Sequence, residues 1–225
     1  MKAKLTLALA CILASRAVAL DLDAFTGKFG VAVVRIAPTS SGEAIAPSPL
    51  INTLGMALNM RFAPDFFLSV EPSLDILWTN YEWYGAEGRA IPTEAENTSD
   101  NNIFVLGFLA DLPLVASFRF SERLGGAASL GAAFLFRASF PADTENADPT
   151  TLQENLSKVV AYFWERGRWF YPSAGLRFDV FLQEGFTFAL GTRAFFPVFN
   201  AWDGGAPDFW DHFSLHISLG MRVGL

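Results

Sequence analysis

From residue 25 onward, large apolar residues and small or polar residues alternate with a period of two. In Leu50–Phe62, Leu54, Met56, Leu58, Met60 and Phe62 alternate with Thr53, Gly55, Ala57, Asn59 and Arg61. In 66–78, Phe66, Leu68, Val70, Leu74, Ile76 and Trp78 alternate with Ser69, Glu71, Ser73 and Asp75. The pattern is clearest at the end, where Phe213, Leu215, Ile217, Leu219, Met221, Val223 and Leu225 oppose Ser214, His216, Ser218, Gly220, Arg222 and Gly224. Such alternation predicts β-strands with two unlike faces. Counted through 25–36, 50–62, 66–78, 103–120, 129–140, 170–182, 186–196 and 213–225, it predicts eight of them.

The chemistry of the faces separates a soluble sandwich from a membrane barrel. The large face is almost free of charge, as lipid contact demands, because a Lys or Arg there would cost about 2–4 kcal/mol at the bilayer midplane. The exceptions, Arg35 and Glu82, lie near strand ends. The other face is Gly, Ala and Ser with sparse charges, which suits the inside of a narrow closed barrel. Connections agree. Ala63–Asp65, Ser121–Arg123 and Gln183–Gly185 are tight, whereas Pro38–Pro49, Gly85–Asn102, Pro141–Gly167 and Asn200–His212 are long. Short turns at one end and long loops at the other are the outer-membrane pattern, with the long loops expected outside the cell. The expected fold class is therefore all-β: an eight-stranded antiparallel transmembrane β-barrel.

One long connection carries its own element. Asp148-Pro149 reads as a helix N-cap followed by Pro in the first turn, and Thr151…Glu154 as a capping box. Leu152, Leu156, Val159, Val160 and Phe163 follow at helical spacing. A short amphipathic helix is expected, lying on the membrane surface or covering the barrel mouth.

The first nineteen residues read as an address. Lys2 and Lys4 precede an apolar run, Leu5–Ala14, too short to span a bilayer, and Ala17-Val18-Ala19 fits a cleavage site. Residues 1–19 are expected to be a signal peptide and 20–225 the barrel. Cys11, the one cysteine, is where a lipoprotein signal would be modified, but Ala8 stands where that signal usually has Leu, so Cys11 is expected to leave with the leader.

Composition narrows the function classes. The chain has 16 Lys+Arg against 23 Asp+Glu. Losing Lys2, Lys4 and Arg16 leaves 13 − 23 = −10, which argues against nucleic acid as a partner. A hydrophobic fraction of 52% with no spanning apolar run after the leader fits dispersed strands rather than helices. No phosphate-binding loop, zinc spacing, dinucleotide fingerprint or nucleophile elbow occurs, so no enzyme activity, cofactor or metal is expected. Acidic loop residues, Glu87, Glu94, Glu96, Asp100, Asp143, Glu145, Asp148, Asp203, Asp208 and Asp211, read as solvated loop faces.

On architecture, residues 20–225 resemble the small eight-stranded outer-membrane barrels of the OmpA/OmpX/OmpW-like superfamily. Phe213–Leu225 is similar to the terminal assembly signal of that group but ends in Leu225 where Phe is usual, a departure that suggests a divergent diderm lineage such as a spirochaete. The resemblance implies an outer-membrane location, lipid as partner, and, in OmpW-like members, passage of small hydrophobic compounds. His216-Ile217-Ser218 is similar to the His-x-Ser of outer-membrane lipid A deacylases over three residues only. Parity turns both side chains inward, away from lipid, and no catalytic pair is assigned.

Alternation points Lys28, Arg61, Glu71, Asp75, Asp111, Arg119, Arg137, Arg177, Asp179, Arg193, His216 and Arg222 into the lumen. Glu71, Asp75, Asp111, Arg177, Asp179, Arg193 and Arg222 are expected to form a paired network, because an unpaired charge in so narrow a space costs several kcal/mol. The same parity puts Leu77, Tyr81, Trp83, Val105, Leu109, Leu135, Trp169, Tyr171 and Phe195 inside the outer half, an apolar cup suited to a small hydrophobic ligand. Pro72, Pro113, Pro172 and Pro197 leave an alternative open: a bulge at each would flip the parity and turn these rings outward as a membrane belt. Function thus has two readings: passage or binding of small hydrophobic molecules, or a non-conducting surface barrel whose loops meet an envelope or host partner.

Overall fold

The structure is a computed structural model and describes residues 20–38, 49–63, 67–93, 102–141, 148–183, 185–202 and 208–225. The leader expected at 1–19 and the acidic positions 94, 96, 100, 143, 145 and 203 lie outside the described residues. The strands are β1 (Asp21–Val34), β2 (Leu50–Arg61), β3 (Leu68–Val70), β4 (Ser73–Tyr84), β5 (Arg89–Thr93), β6 (Asn102–Arg119), β7 (Leu124–Pro141), β8 (Phe170–Gln183), β9 (Phe186–Phe195) and β10 (Ser214–Gly224), with helix α1 (Pro149–Trp164) between β7 and β8.

All pairings are antiparallel, and β1 pairs with both β2 and β10, so the sheet closes on itself. β3 and β4 share one place in the ring, each lying between β2 and β6. The ring therefore has eight positions, as the alternation predicts. Closure leaves no unpaired sheet edge for lipid to solvate. The outward face carries Phe29, Leu54, Leu112, Leu130 and Leu176, each more than half exposed. The expected lipid-facing surface is in place.

The strand prolines do not flip the parity, and Pro197 is not in a strand at all, since it follows the end of β9 and caps a short 3-10 turn at Val198–Ala201. Val70 lies opposite Met60 and Leu114, and Ser73 opposite Ala57 and Asp111, so the register runs through Glu71-Pro72 without a slip. Pro72 only interrupts the ladder. Pro113 sits opposite Gly131, where a Cβ would lie 2.7 Å from the Pro113 Cα, so glycine is what admits proline into a central strand. Pro172 pairs with Ala132 inside an unbroken β7–β8 register. Slips occur instead at Leu22/Ala24 and Phe181/Gln183, both near the end where the chain termini lie. Tyr81, Tyr171 and Phe195 accordingly stay inside.

Two features depart from the sequence reading. β5 lies in the connection read as a plain loop. It continues the β2-facing edge of β4 beyond the place where β2 ends, and all five of its residues are buried. The helix forms where predicted, with Asp148 as its N-cap and Pro149 in its first turn, but without the capping box. The Asp148 carboxylate accepts from the Thr151 N–H (3.0 Å) and the Thr151 hydroxyl (2.7 Å), while Glu154 pairs with Lys158 (3.6 Å). Thr151 is therefore bound by the cap, and no Thr151–Glu154 box forms.

Candidate functional site

The lumen is built in three layers. The lowest, near the chain termini, joins strands that are not neighbours. Arg177 on β8 donates from Nη1 to Glu71 (2.6 Å) across the barrel and from Nε to Asp179 on its own strand (2.9 Å). The Asn59 amide also reaches Glu71 (3.4 Å). Arg193 on β9 forms an ion pair with Asp111 on β6 and donates to Ser129 (3.1 Å) and Ser173 (2.9 Å). The Ser173 hydroxyl in turn donates to Asp111 (3.1 Å). Lys28 on β1 meets Asp75 on β4 (2.8 Å). Five of the seven expected network residues are thus brought into cross-lumen pairs, and Asp179 joins them through Arg177 on its own strand. Arg222 is the exception, since its ion-pair partner is Asp23 (3.0 Å), which it shares with Arg61 at the terminal mouth. Asp23 precedes the first clear alternation, and the sequence reading omitted it.

Above these pairs lies an apolar layer, packed as a core around a small chamber of about 40 Å³. Of the expected lining residues, Leu77, Tyr81, Leu109, Leu135, Tyr171 and Phe195 face it, together with Ala32, Val34 and Ile51. Trp83 and Val105 are inside but belong to the cluster under the helix, and the Trp83 ring meets Tyr162 edge-on (6.3 Å). Trp169 is a correction. Its ring stacks on the outward-facing Phe134 (6.0 Å between centres), because β8 begins only at Phe170 and the parity rule has no strand to act on before it. Polar groups sequence parity had not assigned to the cup also line the chamber: Arg137, His212, Ser214 and His216. His216 packs its ring against Phe195 (4.6 Å), with no hydrogen bond to a carboxylate among the described residues.

The third layer is a lid. Val159, Tyr162 and Phe163 of α1 are buried against Tyr81, Ala90, Ile103 and Val105, with Leu152 and Leu156 packed alongside. The helix covers the mouth rather than lying on the membrane surface. Burying this apolar stripe holds it there, since each fully covered side chain contributes about 1.5–3 kcal/mol.

A buried carboxylate locks the long-connection end. Asp211, read from sequence as a solvated loop residue, is 2% exposed. It accepts from the Ala37 N–H (2.8 Å) and from Arg89 Nη1 (3.2 Å), and it meets His212 Nδ1 (2.9 Å). It therefore ties three separate connections together. Arg89, the buried residue of β5, also binds Glu87 (2.7 Å) and the Ala37 carbonyl (2.9 Å), and sequence reading had given it no role. Nearby, Arg35 forks onto Asp208 (2.7 and 2.8 Å), which places that charge on a loop partner at the strand end.

Burial alone would push the Asp211 carboxyl up, but His212, the Ala37 N–H and Arg89 outweigh it and hold it at about 2. An ordinary Asp titrates near 3.9, so this clamp is fully present above about pH 4 and is lost as pH falls toward 2. The fluorescence of Trp210, next to it in the chain, is expected to change between pH 4 and pH 2. Asp211→Asn should remove most of that transition, and an unchanged acid transition in that variant would count against the clamp.

Comparison with solved structures places this architecture. The Neisserial surface protein A covers 90% of this chain and 97% of its own, with 10% identity and a TM-score of 0.50. OprG of Pseudomonas aeruginosa (11% identity, 92% and 98% covered, TM-score 0.47) and the N-terminal barrel domain of OprF from the same organism (10%, 92% and 99%, 0.44) are also similar. At such identities the likeness shows the fold alone: that of the small outer-membrane β-barrels. No protein-family model matches the chain, and no curated protein sequence does.

Proposed function

We propose that this protein resides in the outer membrane, with its long connections outside the cell, and binds small apolar molecules in the chamber beneath its lid. The observation that carries the reading is the layering itself. An apolar chamber lined by Leu77, Leu109, Tyr171 and Phe195 sits above paired charges and below a helix that covers it. With α1 closed the space among these side chains is about 40 Å³, so a ligand enters by displacing the lid, and the lining it then meets, aliphatic and aromatic groups with a few polar ones, is of the kind apolar ligands take. Cross-lumen pairs beneath it favour binding over free conduction. A second reading, a surface barrel acting through its long connections on an envelope or host partner, draws support from the same pairs, because a filled lumen suits a protein that passes nothing.

Nile red titrated into refolded protein tests the first reading. Saturable binding is expected, weakened at least about tenfold by Leu109→Arg or Phe195→Arg, since each puts a charge into the apolar layer. Binding equal to that of empty micelles, or unaffected by both substitutions, would favour the surface-barrel reading.

A further inference from the structure

One cation of the upper lumen lacks what four others have. Lys28, Arg177, Arg193 and Arg222 each touch a carboxylate. Arg137, also inward on β7, touches none among the described residues. Its Nη1 donates to the Arg168 carbonyl (3.1 Å) and its Nη2 to the Tyr171 hydroxyl (3.1 Å). Its guanidinium lies over the Phe163 ring at 4.5 Å. Its Nε is buried with no acceptor. Neutral acceptors and a ring face solvate a cation only partly, and a buried charge without a counter-ion costs several kcal/mol. The guanidinium also lines the apolar chamber, at the level of Tyr81, Leu135 and Tyr171.

Resting on the reading that this chamber binds apolar molecules, we propose that Arg137 is the head-group site of a monoanionic ligand, a carboxylate carried on a hydrocarbon body. With α1 displaced, the apolar lining supplies contact for the body, and Arg137 supplies an inward charge that has no carboxylate among the described residues. A guanidinium presents its N–H groups in a plane that matches a carboxylate. Tyr171 accepts from Arg137 through its oxygen, which leaves the hydroxyl proton free to donate to the same head. One cation matches one negative charge, so a monoanion fits better than a doubly charged phosphate monoester.

Isothermal titration of the refolded full-length protein, in a nonionic detergent at pH 8, tests this with three ten-carbon probes: decanoate, decanol and decyltrimethylammonium. In the unmodified protein decanoate is expected to bind at least about tenfold more tightly than decanol, and the cation more weakly than either. Arg137→Gln, which keeps N–H donors for Arg168 and Tyr171 but loses the charge, should erase the preference for decanoate and leave decanol unchanged. Arg137→Lys should retain part of it. Equal binding of decanoate and decanol, or a preference that survives Arg137→Gln, would overturn the head-group assignment while leaving the apolar chamber standing. If no probe binds, both fail. The charge series in unmodified protein decides the matter even if the variants do not fold.

Discussion

Replacing Arg177 by methionine is expected to destabilise the folded barrel by about 3–5 kcal/mol, the range for removing one partner of a buried ion pair. Arg177 serves two carboxylates, Glu71 across the lumen and Asp179 on its own strand, and all three side chains are largely buried. Its loss strands both negative charges in a space only just wide enough for side chains. The cost is mainly that of the abandoned carboxylates rather than of the lost contact. Adding Glu71→Gln to Arg177→Met should therefore return part of the stability, because one stranded charge is neutralised. The midpoint of urea unfolding from lipid vesicles measures both. A loss below about 1 kcal/mol, as for an exposed pair, would show the lumen here to be wet and the pairs unimportant.

The second large effect is expected at the lid. Val159 is completely buried under α1, against the cluster that includes Tyr81, Val105 and Phe163. Val159→Asp would force a carboxylate into an apolar contact with no partner, at a cost of several kcal/mol. Only the lid depends on that contact, so the helix should detach while the barrel stays folded. Trypsin is expected to cut the variant at Lys158 or Arg166 in folded protein, where the unmodified protein resists. The barrel should still migrate differently with and without boiling. Val160→Asp is the control, because Val160 is exposed on the adjacent face of the same helix and should change nothing. Equal resistance in all three proteins would mean that the helix is not held by its buried stripe.

Much of this was legible in the chain because a closed barrel reduces to one rule repeated. Each residue faces in or out by its place in a period of two, and the ring of strands follows without knowing any contact. That rule placed Arg177, Asp111 and Arg193 in the lumen and kept Leu109 and Phe195 inside. It reached the upper half because Pro113 is admitted opposite Gly131 without a slip, a pairing between strands that no local pattern reveals. The rule fails where strands stop. Trp169 stands one residue before β8 and turns out to Phe134. Asp211 belongs to a connection, where parity has no meaning, and Arg89 to β5, whose two faces are both buried. Their partners lie 174 and 122 positions apart in the chain, so their burial follows from closure of the barrel and not from neighbours in sequence. Arg137 shows a further limit. Alternation put it inside, but that it has no carboxylate, unlike Lys28, Arg177, Arg193 and Arg222, is a property of the assembled lumen.

An apolar molecule is expected to occupy the chamber. Crystals of the refolded protein soaked with 1-bromonaphthalene answer this through the anomalous signal of bromine. The expected result is a peak inside the barrel, between Leu77, Leu109 and Phe195 and beneath α1. Bromine found only on the outer wall, among Leu130, Leu176 and their neighbours, with none inside, would contradict it.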